Sequence, residues 1–169
     1  MERLEANMEG NVTEEAFNHW HAVAAFFKCF SYSRLVAVFG DVPYYETSFA
    51  NSDLEAMYKD RDSRVFVMDK VHDMLKNEVL VNMRNNDGAN TLNRYVAAAF
   101  ASRWMLFEGT WQKYHGGDQA AATKYLQLAK EAAEIVINSG KFAIDTPFRE
   151  VFGSQDLKGN KEAIMYRHY

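Results

Sequence analysis

Between Thr13 and Phe39 the chain contains neither proline nor glycine, and Gly40 and Pro43 then close the stretch abruptly. This pattern predicts one long helix. Thr13 is its N-cap, Glu14 and Glu15 occupy the first turn, where the macrodipole favours acids, and Gly40 stops it. Pro43 prevents resumption. Phe17, Trp20, Ala24 and Phe27 follow the 3–4 spacing of one buried face. Val23, Phe26, Phe30 and Ala37 widen that face, so the helix is expected to be covered on most sides. The segment Ala22 to Phe39 approaches the length of a membrane span. Lys28 and Arg34 interrupt it near the middle, however, and two charges there would cost about 5–7 kcal/mol on insertion scales. A buried helix of a soluble domain is the better reading.

The rest of the chain reads as further helices joined by long loops. Residues 40–61 form an extended connection with one helical turn expected around Asp53 to Tyr58, and connections of that length are often functional. A second helix is expected from Asp62 or Ser63 to about Met83, with Val67, Val71, Met74, Leu75 and Val79 as its apolar stripe. Asn85 to Gly88 is a turn. A third helix from Thr91 to about Trp111 carries Ala97, Ala98, Ala99 and Ala101, which allow a neighbour to approach closely. Gly116 and Gly117 break the chain, and Asp118 caps a fourth helix that ends at Ser139 and Gly140. Within it, Ala122, Leu126 and Ala129 reproduce part of a tetratricopeptide pattern, whose matching Trp, Leu-Gly and Tyr positions are missing from the preceding helix. Beyond Gly140, Phe142 to Ile144 and Glu162 to Tyr166 read as short extended pieces. The fold class is therefore all-α, built of antiparallel helix pairs of tetratricopeptide-like type with long loops.

Several function classes are excluded by composition and motif. The 169 residues carry a net charge of −4 without a Lys/Arg cluster, which argues against a nucleic-acid or anionic-membrane partner. One cysteine, Cys29, excludes a disulfide framework and reads as a small core hydrophobe. No metal or cofactor is expected. Asp60 to Val71 begins like a calcium loop but has Val65 and Val71 where Gly and Glu are required; Asp62 is more simply a helix cap. His19 and His21, two positions apart, point to different helix faces. Asp69 and Asp73 read as a solvated helix face. No catalytic string or marked pair of carboxyls occurs, so no catalytic residue is assigned.

The unusual feature is the supply of rings, 12 Phe, 9 Tyr and 3 Trp. Trp20, Phe26, Phe27, Phe30, Trp104 and Phe107 sit at helical spacing among apolar neighbours and read as core. Tyr44 and Tyr45 lie in the long connection, and Trp111 and Tyr114 lie where the third helix runs out. Rings so placed either seal helix ends or stack on the apolar faces of sugars. These four are the candidate ligand-binding residues.

Three stretches, in order, resemble the SusD/RagB family of outer-membrane nutrient-binding lipoproteins. Phe26 to Glu46 (FFKCFSYSRLVAVFGDVPYYE) is similar to the family's aromatic-rich helix and its Phe-Gly-Asp-Val-Pro hallmark, here Phe39 to Pro43. Tyr58 to Leu75 resembles the segment opening the next helix, with Tyr58, Arg61 and Ser63 in place. Asn93 to Gly140 resembles the Ala-rich helix and its partner ending in Ile-x-Ser-Gly. The tail, FREVFGSQDLKGNKEAIMYRHY, is similar to the family's next portion, in which a Leu/Val-Phe pair precedes a Glu-x-Ile strand. Ala24 and Ala25 stand where the family usually has an Arg before the aromatic pair.

The resemblance covers roughly residues 14–169 and implies a division into a flexible segment 1–12, a helical scaffold 13–145, and the start of a further, truncated portion at 146–169. It implies a surface protein of a Bacteroidetes-type outer membrane, on its extracellular face. Such a protein caps a SusC-like, TonB-dependent transporter and captures a glycan, or a peptide, for import. The family's signal peptide and lipid-modified cysteine are absent here, so membrane attachment would need an anchor this chain lacks. The hallmark itself has a structural explanation: Gly40 ends a helix, Asp41 bonds locally and Pro43 directs the exit. The competing reading is a tetratricopeptide-like module that binds a protein or peptide partner in a helical groove. A scaffold cut from a larger fold is also expected to be marginally stable or to self-associate.

Overall fold

The computed structural model describes residues 11–167, and over these the chain is all-α. The expected flexible segment 1–12 lies outside the described residues except for its last two positions, as do the last two residues of the tail. The helices are α1 (Glu14–Phe39), α2 (Leu54–Met57), α3 (Arg64–Met74), α4 (Arg94–Trp111), α5 (Gln119–Asn138) and α6 (Phe148–Gly153). A π turn, Leu75–Val79, and a last α turn, Leu80–Asn82, prolong α3; a second π turn, Gln112–Gly116, prolongs α4.

Side-chain caps set the helix starts. Thr13 Oγ1 accepts from the Ala16 N–H at 3.2 Å, Asp53 Oδ1 from Ala56 at 3.0 Å, and Asp118 Oδ1 from Ala121 at 2.9 Å. Ser63 Oγ, rather than Asp62, caps α3 by accepting from Phe66 at 3.3 Å. Asn93 caps α4, two residues later than Thr91, by accepting from Tyr95 and Val96. Each bond satisfies an N–H that the helix itself cannot.

Helices α1 and α3 form an antiparallel pair pinned at both ends. Where α1 finishes and α3 starts, Val42 and Asp62 exchange two backbone hydrogen bonds of 3.2 and 3.1 Å. Where α1 starts and α3 finishes, Arg84 Nε donates to Glu15 Oε1 at 2.7 Å and the Arg84 N–H donates to His19 Nδ1 at 3.1 Å. The stripe of α1 that enters the core is His19, Ala22, Ala25, Phe26, Cys29, Ser33 and Val36. This corrects the expected face: Trp20 and Phe27 are exposed, Phe17 and Ala24 are only half-buried, and the helix is not covered on most sides. Phe30 and Phe107 are also exposed, so of the six rings expected in the core only Phe26 is fully buried and Trp104 partly so. The chosen stripe is mostly of small side chains, which let α1 lie close to Val67, Met68, Val71 and Leu75 of α3 and its extension.

Helices α4 and α5 form the second antiparallel pair, a hairpin turned by Gly117 at φ +80°. The alanines do what their size allows: Ala97, Ala98 and Ala101 are buried. Gly109 makes room for Leu126: a Cβ there would sit 2.7 Å from Leu126 Cγ. The pairs are joined through Tyr125 of α5, which is fully buried and donates its hydroxyl to Asp69 Oδ1 of α3 at 2.8 Å. Lys124 meets Asp69 at 3.0 Å and Asp73 at 3.6 Å, so these two acids are paired across helices rather than simply solvated.

After α5 the packing thins. Residues 142–144 and 162–166 do not form strands; beside them, Ala143 N–H donates to Lys161 O at 3.3 Å and Thr146 N–H to Glu162 Oε1 at 2.9 Å. Phe148 and Phe152 of α6 pack on each other at a tilt, with centroids 4.5 Å apart, and both stay exposed. Asn90 holds Tyr166, its Oδ1 accepting from the Tyr166 N–H at 2.8 Å.

Candidate functional site

The Phe39 to Pro43 motif is a long-range clasp. Asp41 does not bond locally; its Oδ1 accepts the Arg64 N–H at 2.8 Å and so satisfies the first turn of α3. Asp62 likewise turns back, its Oδ2 accepting from the Tyr44 N–H at 2.7 Å and from Lys59 Nζ at 2.6 Å. The Lys59 ammonium and then the Tyr44 amide hold the Asp62 carboxyl below the usual carboxylate range. Lys59 also donates to Tyr44 O at 2.9 Å, closing the loop on itself.

Two of the candidate rings, Tyr44 and Tyr45, line one cleft beside this clasp but pack on different partners. Tyr44, 5 % exposed, packs inward on Tyr32 with ring centroids 4.7 Å apart, and Lys28 Nζ lies 4.8 Å from its centroid. Burial pushes the Tyr44 hydroxyl well above the ordinary tyrosine range. Tyr45 faces the other way. Its hydroxyl donates to Ala56 O at 2.7 Å and its ring packs on Phe49 at 4.9 Å. Together with Glu46, Asp53, Glu55 and Lys59 these rings line an open cleft of about 500 Å³. The cleft offers a hydroxylated ligand a ring wall with carboxylates around it, while its ammonium, Lys59, is held by Asp62 and Tyr44.

Trp111 and Tyr114 are carried by the far end of α4 and its π turn. Trp111 covers the Arg64 guanidinium, 3.8 Å from its ring centroid. Beneath the ring, Arg64 Nε and Nη2 donate to Glu108 at 2.8 Å each, and Gln112 Nε2 donates to Glu108 Oε1 at 3.0 Å. Glu108 and Gln112 are each 1 % exposed. The π turn is accommodated because residue 116 is glycine: a Cβ there would overlap Gln112 Oε1 and the Trp111 ring. Tyr114 stands out in solvent with Lys113 Nζ 5.2 Å from its centroid. No ring contact joins any of the four candidates to another.

A second concavity lies between α1 and α4. It is a groove of about 380 Å³ walled by Phe30, Phe100, Trp104 and Phe107, with Ser33, Arg34, Arg103 and Glu108 as its polar members. Its rings touch: Phe100 and Trp104 are 5.3 Å apart and Phe30 and Trp104 5.9 Å. Helical spacing alone counts Phe30, Trp104 and Phe107 as core and so misses the groove. The available signal is the pair of arginines, Arg34 and Arg103, set among them.

The remaining reactive groups are occupied structurally. Cys29 is fully buried, and burial pushes its thiol well above the ordinary range. His19 accepts from Arg84 and its Nε2 lies 3.4 Å from Asp87, while His21 Nδ1 lies 3.6 Å from Glu78. Among the described residues, no group of three or more His, Cys, Asp or Glu side chains is placed to hold a metal ion.

No family model matches the sequence, and no curated protein matches it. Among solved structures the chain is similar to a SusD-like protein from Bacteroides fragilis, with a TM-score of 0.72 and 17 % sequence identity. The match covers 94 % of this chain but 29 % of that protein, so the chain spans less than a third of its neighbour's length. At that identity the likeness establishes the fold, an all-α SusD-like arrangement, and leaves the activity to be argued.

Proposed function

We propose that this chain is the helical scaffold of a SusD-like glycan-binding protein. In that role it captures an oligosaccharide at the cell surface and delivers it to a SusC-like, TonB-dependent transporter of the outer membrane. The observation that carries the proposal is the correspondence of fold over 94 % of the chain. The ordered resemblance of Phe26 to Glu46, Tyr58 to Leu75 and Asn93 to Gly140 supports it independently. Residues 13–145 would form the scaffold and 146–169 the start of a further portion. Capture would work by shape and ring stacking, with no covalent step.

The cleft lined by Tyr44, Tyr45 and Phe49 is the proposed place of contact; Trp111 and Tyr114 are not among its lining residues. Affinity electrophoresis of the chain against a polysaccharide panel tests this. At least one glycan is expected to retard migration. Tyr45→Ala and Phe49→Ala are each expected to weaken retention about tenfold, the scale of a lost ring contact of about 1.4 kcal/mol. Tight peptide binding without retardation by any glycan would sink the carbohydrate reading and favour a peptide-binding helical module.

A further inference from the structure

The groove between α1 and α4 has a one-sided chemistry. Its walls are rings, and its free charged groups are both cationic. Arg34 and Arg103 make no hydrogen bond or ion pair among the described residues, so two guanidinium groups face the groove uncompensated. Glu108, the sole acid in the lining, is already spent: Arg64 pairs with it and Gln112 donates to it. Ser33 is 8 % exposed, and its buried Oγ has no partner. A neutral sugar would leave both guanidinium charges unmatched. An anion with an apolar body satisfies every group present.

We propose that this groove binds an aryl carboxylate, a flat ring bearing one carboxylate. The ring would lie against Phe30, Trp104 and Phe107, and the carboxylate would accept from Arg34 and Arg103. A planar carboxylate matches guanidinium forks, and an aromatic body exploits the ring wall as an acyl chain would not. The volume of about 380 Å³ suits a ligand of this size. The site is separate from the Tyr45 cleft and does not depend on the glycan reading.

The test is titration of the chain with sodium cinnamate, followed by amide NMR, with cinnamamide, dodecanoate and methyl glucuronoside as comparisons. Cinnamate is expected to shift resonances of residues 30–37 and 100–108, with an affinity that falls as salt is raised. Cinnamamide, which keeps the ring and loses the charge, is expected to bind at least tenfold more weakly. Arg34→Gln and Arg103→Gln are each expected to cost about tenfold while leaving the melting temperature unchanged, because neither side chain holds the fold together. Equal binding of cinnamamide, shifts confined to the Tyr45 cleft, or affinity untouched by both arginine variants would overturn the proposal. So would stronger binding of dodecanoate or of the glucuronoside, which would assign the groove to an acyl chain or an acidic sugar instead.

Discussion

Arg64 ties together segments that are far apart in the chain. Its N–H bonds Asp41, its guanidinium grips Glu108 in two places, and its upper face carries Trp111. Almost none of this is open to water, since the two side chains of the ion pair are 10 % and 2 % exposed. A pair so buried contributes little compared with a well-packed apolar substitute, yet removing one member strands a charge in a low dielectric. Arg64→Ala is therefore expected to destabilise the chain by about 3–5 kcal/mol, and the double variant Arg64→Met, Glu108→Leu by much less. Urea unfolding monitored by circular dichroism separates the two cases. If both variants lost the same stability, the loss would reflect the guanidinium's own bonds and its contact with the Trp111 ring rather than an orphaned carboxylate.

At the scale of elements, helix ends are legible in the sequence and helix faces are not. A cap is a local event, decided within three or four residues, so Thr13, Asp53 and Asp118 announce their helices, while Ser63 and Asn93 displace the neighbouring Asp62 and Thr91. The face of α1 is decided by its partner. Its sequence is apolar nearly all round, so Phe17, Trp20, Ala24 and Phe27 compete with Ala22, Ala25, Cys29 and Val36 as equally periodic stripes. Close packing on α3 selects the smaller set and leaves the larger rings outside. The π turn that follows Trp111 and carries Tyr114 is hidden for a similar reason: it depends on Gly116 clearing Gln112, a contact between side chain and backbone rather than a propensity. The α4–α5 hairpin shows the same dependence on size. Gly109→Ala places a Cβ against Leu126 and is expected to cost about 1–3 kcal/mol of stability. Leu126→Ala in the same chain removes the obstructing branch, so the double variant is expected to lose less than the sum of the singles. Denaturant midpoints for the four-member cycle measure that coupling; strict additivity would show that the hairpin relaxes around the extra methyl without using Leu126.

For the whole molecule, the question is what becomes of the rings that the core declined. Val38 and Phe39 at the end of α1 are 67 % and 63 % exposed, Phe27 is 56 % exposed, and Leu106 and Phe107 of α4 add to the exposed apolar surface. Apolar surface gathered on neighbouring helices is a feature of interaction sites more than of free monomers. The solved neighbour is more than three times as long as this chain, and a scaffold within a larger fold would have such faces covered. Left uncovered, they gain free energy by meeting each other. The chain is therefore expected to self-associate as its concentration rises, with sedimentation velocity showing a shift towards dimer or larger species. Val38→Lys and Leu106→Glu put charge on this surface without touching the buried stripe of α1. They are expected to return the chain to a monomer at an unchanged melting temperature. Association that persists in both variants would move the contact elsewhere, with the exposed Phe148 and Phe152 pair of α6 next in line. A wild-type chain that stays monomeric at all concentrations would mean that these rings are tolerated in water as they stand.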